Sequence, residues 1–312
     1  MSTFERLWRR LLLPAPSRGL CALTAEGAIL FDRRTRQSHF EPWGEQAFQP
    51  AFDTENVGQA EAFAATLMQA AQALGIAGER RWSVLLPGAT ARTYVITIEA
   101  TVPPHNVPEV LLWKAERLTG LPSDELWMTT RELGTGLTGA GAPGRRFLLV
   151  TMSRRVALAL QAQLEQLNWQ PGLLLPRLVC EALWLQRMSG HLDQMLISVE
   201  SDTLSVMLLQ RGVPTALRTL PLAGELLSEQ LLRVLLFFRE HAVESGLSPA
   251  ADQIHFEVLP VNVPLEIAEL GQCIRETFGD DPRIIEPQGL GFSSAVEFAR
   301  LAGLTGLVWA TA

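Results

Sequence analysis

The sequence predicts an α/β protein of two similar lobes, with a smaller α/β unit inserted between their parts. Three observations lead there. Leu196 to Gly224 reads as three consecutive strands, Leu196–Glu200, Leu204–Gln210 and Thr215–Leu220, joined by the turns Ser201-Asp202 and Arg211-Gly212-Val213-Pro214. A leucine-rich helical pattern follows from Leu226 to Glu244. Near the N-terminus the same order recurs, with strands at Gly19–Thr24, Ala28–Phe31 and Gln37–Phe40 before a helix at Val57–Ile76. Between these two stretches, short strands and helices alternate. A meander of three strands and then a helix is half of an α/β nucleotide-handling module.

The helix at Val57–Ile76 carries Ala60, Phe63, Ala64, Leu67, Ala71 and Leu74 on one face, with Asn56 as N-cap and Gly75 as stop. Trp82–Leu86 is a buried-type strand broken by Pro87-Gly88, and Arg92–Glu99 alternates as the next strand. Pro103-Pro104 ends it, and Val107–Leu118 is a helix. A loop at Leu121–Leu126 leads to a strand at Trp127–Leu133, a Gly-rich hairpin tip at 134–144 and a strand at Arg146–Met152. Ser153 caps a helix over Arg154–Gln166, Gly172–Leu175 is a strand, and Arg177–Met188 is amphipathic. After the opening stretch come a strand at Gln253–Leu259, a helix at Leu265–Phe278, a short strand at Arg283–Glu286, a helix at Ser294–Leu301 and a closing segment at Gly303–Ala310.

The totals bound the function. The chain has 312 residues, enough for two domains, with 47% apolar and 19% charged residues. A net charge of -7 argues against nucleic acid as the partner, since phosphate binding needs a basic surface. Cys21, Cys180 and Cys273 are far apart in apolar surroundings, which fits reduced thiols and a cytosolic protein. No stretch reaches the run of about 18 apolar residues that spans a bilayer. Phe4, Leu7, Trp8, Leu11 and Leu12 fall at helical spacing opposite Arg6, Arg9 and Arg10, the pattern of a short helix closing on the fold or touching a membrane surface.

Four stretches carry a resemblance: WSVLLPGATARTYVITIEA from Trp82, VPEVLLWKAERLTGLPSDEL from Val107, RRFLLVTMSRRVALALQAQLEQLNWQPGLLLPRLVCEALWL from Arg145, and LISVESDTLSVMLLQRGVPTALRTLPLAG from Leu196. In their order and spacing they resemble the PilM family of type IV pilus assembly proteins, and also the cytoplasmic part of the type II secretion protein GspL. The resemblance implies an actin-like (ribonuclease H-like) two-lobed fold with a small α/β insert and a reduced upper subdomain of the second lobe. Residues 1–81 would begin the first lobe, 82–175 form the insert, and 176–312 complete the first lobe and supply the second. It also implies a place at the cytoplasmic face of the inner membrane. There the chain would bind the N-terminal tail of a PilN-like protein, with other assembly-platform proteins and an assembly ATPase as further neighbours. The acidic net charge suits a basic tail. Trp113, Arg117 and Leu121 are the candidate contacts, in a groove between the insert and the first lobe. The pattern carries no signal for self-association.

Phosphate binding needs backbone N–H groups in a tight glycine turn and an acidic residue near magnesium. In the pattern resembled, each hairpin carries Asp-x-Gly. Here Ala22-Leu23-Thr24, with Glu26-Gly27 nearby, and Ser198-Val199-Glu200 occupy those places, and Phe256–Pro260 runs where a Gly-Gly adenosine turn is expected. Thr24, Gly27, Ser198 and Glu200 thus mark a degenerate nucleotide site. The expectation is no catalysis and no bound cofactor; ATP with magnesium held by variant loops at Glu26-Gly27 and Glu200–Thr203 is the alternative. Glu200 and Asp202 read as a solvated turn, not an acid–base pair. His39, His105, His191, His241 and His255 show no metal spacing, and Gly289–Gly291 reads as a turn before a capped helix. Trp113, Trp127 and Trp169 are core or partner-contact residues of the insert.

Overall fold

The computed structural model describes residues 17–138, 141–189, 193–222, 226–244, 254–260, 267–279, 283–284 and 294–310. The basic helix expected at Phe4–Leu12 and the glycine turn at 289–291 lie outside them.

Two five-stranded sheets share one topology. The first orders its strands β3-β2-β1-β4-β8, from β1 (Gly19–Leu23), β2 (Gly27–Asp32), β3 (Gln37–Pro42), β4 (Arg81–Leu86) and β8 (Gln170–Pro176). The second orders them β11-β10-β9-β12-β13, from β9 (Gln194–Val199), β10 (Thr203–Gln210), β11 (Val213–Pro221), β12 (His255–Pro260) and β13 (Arg283–Ile284). In each, a three-strand antiparallel meander meets two parallel strands. The insert is a separate antiparallel sheet, β5-β7-β6, of β5 (Arg92–Glu99), β6 (Leu126–Leu137) and β7 (Pro143–Ser153), packed on α2 (Val107–Thr119).

The layers follow from which faces are apolar. β1 is buried at all five residues and β9 at all six, so both central strands need cover on both faces. α1 (Ala60–Ala73) and α3 (Arg154–Gln166) cover the outer face of the first sheet. α5 (Leu227–Glu244) and α6 (Ile267–Phe278) cover the outer face of the second. α4 (Arg177–Ser189) and α7 (Ala295–Ala310) lie between the sheets. Cys180, Leu304 and Leu307 face the first sheet, while Leu178, Trp184, Leu185 and Phe298 face the second. One helical layer therefore serves two cores.

Several sequence expectations shift. β4 and β8 belong to the first sheet, so the insert begins after Leu86 and ends at Ser153, inside the expected 82–175. Trp169 accordingly stacks on Trp82 at 3.8 Å between ring centroids in the first lobe, not in the insert. α1 starts at Ala60 because Val57 bridges to Phe48; Asn56 does not cap it but holds the carbonyls of Ala51 and Thr54 and accepts from Thr90. α7 runs through Gly303 and Gly306 instead of ending at Leu301. Those glycines let α7 press on α4: an added Cβ at Gly306 would collide with the Cys180 carbonyl, and one at Gly303 would lie 2.9 Å from Leu85.

Gly306→Ala is therefore expected to destabilise the protein by about 1–3 kcal/mol, overriding the roughly 1 kcal/mol helix-propensity gain. Gly78→Ala, where nothing lies within 4 Å, should leave the thermal midpoint nearly unchanged. Equal midpoints for the two variants in circular-dichroism melts would refute the close helix crossing.

Candidate functional site

The carboxyl ends of β1, β4, β9 and β12 meet in the crevice between the lobes, the place where open α/β sheets put ligands. Two hairpins and one loop converge there.

The first hairpin is closed on itself. Thr24 is 1% exposed; its hydroxyl donates to the Gly27 carbonyl at 2.8 Å and accepts from the N–H groups of Gly27 and Glu26 at 3.1 and 3.3 Å. Its own N–H binds the Gly27 carbonyl at 3.0 Å, and the Trp43 indole donates to its carbonyl at 2.7 Å. Thr24, where the Asp-x-Gly pattern would carry its glycine, thus satisfies the turn with its own hydroxyl. Glycine is required at Gly27 because an added Cβ would meet the Phe40 ring at 2.7 Å.

The second hairpin reaches across the crevice. The Glu200 carboxylate accepts from the Gly88 N–H at 2.6 Å, so its Oε2 occupies a backbone donor of the β4–β5 loop. The side chains of Thr203 and Ser205 crowd the same glycine. Arg177, at the start of α4, lies 3.3 Å from Glu200 Oε1 and 3.5 Å from Glu181, and donates to the Ala299 carbonyl of α7 at 3.2 Å. All three ionisable groups are buried. Burial pushes the Glu200 carboxyl up to about 8, against the pull of Arg177 and of the Gly88 N–H. Burial also raises Glu181, with Arg177 and the neighbouring Ser198 hydroxyl opposing it. Asp202 is raised first by burial and also by the charge of Glu26 on the other hairpin. One arginine thus faces two buried carboxyl groups, Glu181 and Glu200, whose charged forms burial disfavours.

Ser198, on β9, and Glu200, just after it, lie at this crevice, and the solvated turn expected at Glu200 is not what the structure has. Glu200 is 7% exposed and bridges the lobes. Arg177 and Glu181 went unnoticed as site residues; a charged i, i+4 pair inside the apolar run RLVCEALWL is the signal that would have found them. Phe256–Pro260 belongs to β12 itself, paired with β9 to its last residue, and the residues after it, 261–266, lie outside those described. Within β12, Glu257 is fully buried, and neither carboxylate oxygen has a hydrogen-bond partner. Among the described residues no cluster of His, Cys, Asp or Glu has metal-ligand geometry, and no helix is long and apolar enough to cross a membrane.

A second feature lies on the insert. A groove of about 930 Å³ runs along β5 between α2 and the β6–β7 hairpin, and its far wall is β10 and β11 of the second lobe. Trp113 and Arg117 line it, with the guanidinium 5.0 Å over the indole. Leu121 does not; it packs in the insert core. The expected groove between insert and first lobe thus gives way, for Trp113 and Arg117, to one facing the second lobe, because α2 exposes that face beside the edge strand β11.

No protein-family model matches the sequence, and no curated protein sequence matches it. Solved structures do. The chain is similar to a chain of the PilM-PilN type IV pilus biogenesis complex, with a TM-score of 0.71 and 15% identity over 96% of this chain and 99% of that one. It is similar to a Bacteroides thetaiotaomicron protein of unknown function with an actin-like ATPase fold, with a TM-score of 0.52 and 9% identity over 99% of each chain. It also matches the cytoplasmic domain of EpsL, an inner-membrane component of the type II secretion system of Vibrio cholerae. There the TM-score is 0.50 and identity 10%, over 92% of this chain and 94% of that one.

Two outcomes test the crevice. The unfolded carboxyl of Glu257 titrates near 4.5 and the folded one near 8. Stability is therefore full below about 4.5 and falls as pH rises through 8, by on the order of a few kcal/mol. Glu257→Gln should flatten that loss in denaturant unfolding between pH 5 and 9; an unchanged slope would contradict it. Glu200→Ala removes one of the two carboxylates beside Arg177 and leaves the Gly88 N–H unpaired, and should cost about 1–3 kcal/mol in denaturant unfolding, with Glu200→Gln milder. The chain has the actin-like fold, with two repeated sheets sandwiching one shared helical layer.

Proposed function

We propose that this chain is a non-hydrolysing actin-like scaffold at the cytoplasmic face of a type IV pilus assembly platform, where it holds the cytoplasmic tail of a PilN-like inner-membrane protein. The observation that carries the first part is the Glu200–Gly88 contact. A phosphate clamp needs free N–H groups and an acidic residue placed for magnesium. Here a protein carboxylate takes the donor, and Thr24 takes the N–H groups of its own turn. The full-length likeness to the PilM-PilN structure supports the second part. A GspL-like role in type II secretion is the competing reading, favoured by the likeness to the EpsL cytoplasmic domain.

Calorimetric titration with ATP and magnesium tests the scaffold reading: no binding at micromolar concentration is expected, and micromolar affinity would replace it with a nucleotide-binding reading. Pull-down with synthetic N-terminal tails of a PilN-like protein and of its type II counterpart should retain the chain on the pilus tail. Retention on the type II tail alone would assign the chain to secretion.

A further inference from the structure

The groove along β5 has a charge opposite to that of the protein. Lys114, Arg117 and Arg146 line it and, among the described residues, no carboxylate does, although the chain as a whole carries a net charge of -7. None of the three cations is in an ion pair among the described residues. The acids of α2 do not reach them usefully: Glu116 is turned away to accept from the Ser123 N–H at 2.8 Å. Arg146 is half-buried on β7, and burial lowers its pKa. Its guanidinium lies over Gly136, where an added Cβ would sit 2.8 Å from Nη2, so the glycine makes room for a desolvated cation facing the groove.

The same groove collects exposed apolar surface. Trp113 is 51%, Leu118 50% and Leu137 55% exposed, and all three line it. Large apolar side chains gathered in a concave site mark a contact surface. The second edge of β5 pairs with no strand among the described residues, which leaves main-chain donors and acceptors along the floor.

We propose that this groove docks an extended peptide segment of a partner protein that carries both acidic and aliphatic residues. Its carboxylates meet Lys114, Arg117 and Arg146, its aliphatic side chains cover Trp113, Leu118 and Leu137, and its main chain runs beside β5. The cationic lining favours an acidic over a basic segment in this groove, whatever net charge alone suggests. Walls on both sides, formed by α2 and by β11, do not suit a bilayer surface, and the apolar lining does not suit a phosphate backbone. The inference shares Trp113 and Arg117 with the proposed tail site but does not depend on the identity of that tail.

The probe is a fluorescein-labelled peptide of alternating Val and Glu, compared by anisotropy with its Val–Lys counterpart on the full chain. The acidic probe is expected to bind at least about tenfold more tightly, with affinity falling as salt rises. Lys114→Glu with Arg117→Glu, both on the surface of α2, should lose about tenfold for the acidic probe with an unchanged melting temperature, while Glu109→Lys on the same helix should not. Equal or tighter binding of the Val–Lys peptide, or unchanged binding by the charge-reversed variant, would overturn the proposal. So would tighter binding of single-stranded DNA or phosphatidylglycerol vesicles through these same residues. A PilN-like tail that binds whether or not the acidic probe does would leave the scaffold reading standing on its own; the acidic probe binding without that tail would do the reverse.

Discussion

Arg177 carries a positive charge into the interior, 1% exposed, and the way that charge is met fixes how the lobes sit together. A buried guanidinium left alone is costly, and the pairing must come from groups equally removed from water. Glu181 answers it from one turn further along α4, Ala299 from α7, and Glu200 from the second lobe's hairpin. Glu200 in turn takes the Gly88 N–H of the first lobe. The central helical layer, the second sheet and the β4–β5 loop are thus tied through one side chain. Charge in this position does not add much net stability, but it specifies register: any slide of one lobe on the other strands a buried ion.

The same tie underlies the proposal that the crevice does not hold nucleotide. Actin-like topology delivers strand ends and tight hairpins to one place, and at such a place phosphate needs donors that are free and charge that is positive. Here the donors of the first hairpin close on Thr24, the donor of the loop closes on Glu200, and carboxylates outnumber cations. On the proposed reading, N–H groups that a clamp would offer are satisfied within the chain itself. Glu257, buried one strand away with no hydrogen-bond partner among the described residues, is kept mainly in its neutral form by burial.

The insert keeps a different surface. Its sheet buries Ile96, Ile98, Phe147 and Leu149 against α2, yet α2 leaves Trp113 and Leu118 facing outward. An amphipathic helix that spends its apolar residues on the solvent side has a reason beyond folding. The stability of the insert rests on its inner face, so the outer face is free to be shaped by a partner.

Much of the fold was legible in the sequence. β5 begins and ends where its alternation does, and the apolar runs of β1, β4, β9 and β10 announce strands buried on both faces, because local pattern records burial along a single element. The two meander-helix units were visible for the same reason, and the substitutions at Thr24 and Glu200 could be read position by position. What sequence did not decide is which elements share a layer. It could not assign β4 and β8 to the first sheet, carry α7 through Gly303 and Gly306, or place Glu200 in the interior beside Arg177. Nor could it show that Trp113 and Arg117 face the second lobe in a cationic groove, since net charge averages over a surface that the fold sorts into regions. Periodicity is a property of one segment. A hydrogen bond across 112 residues of chain, from the Gly88 N–H to the Glu200 carboxylate, exists only once the lobes have packed.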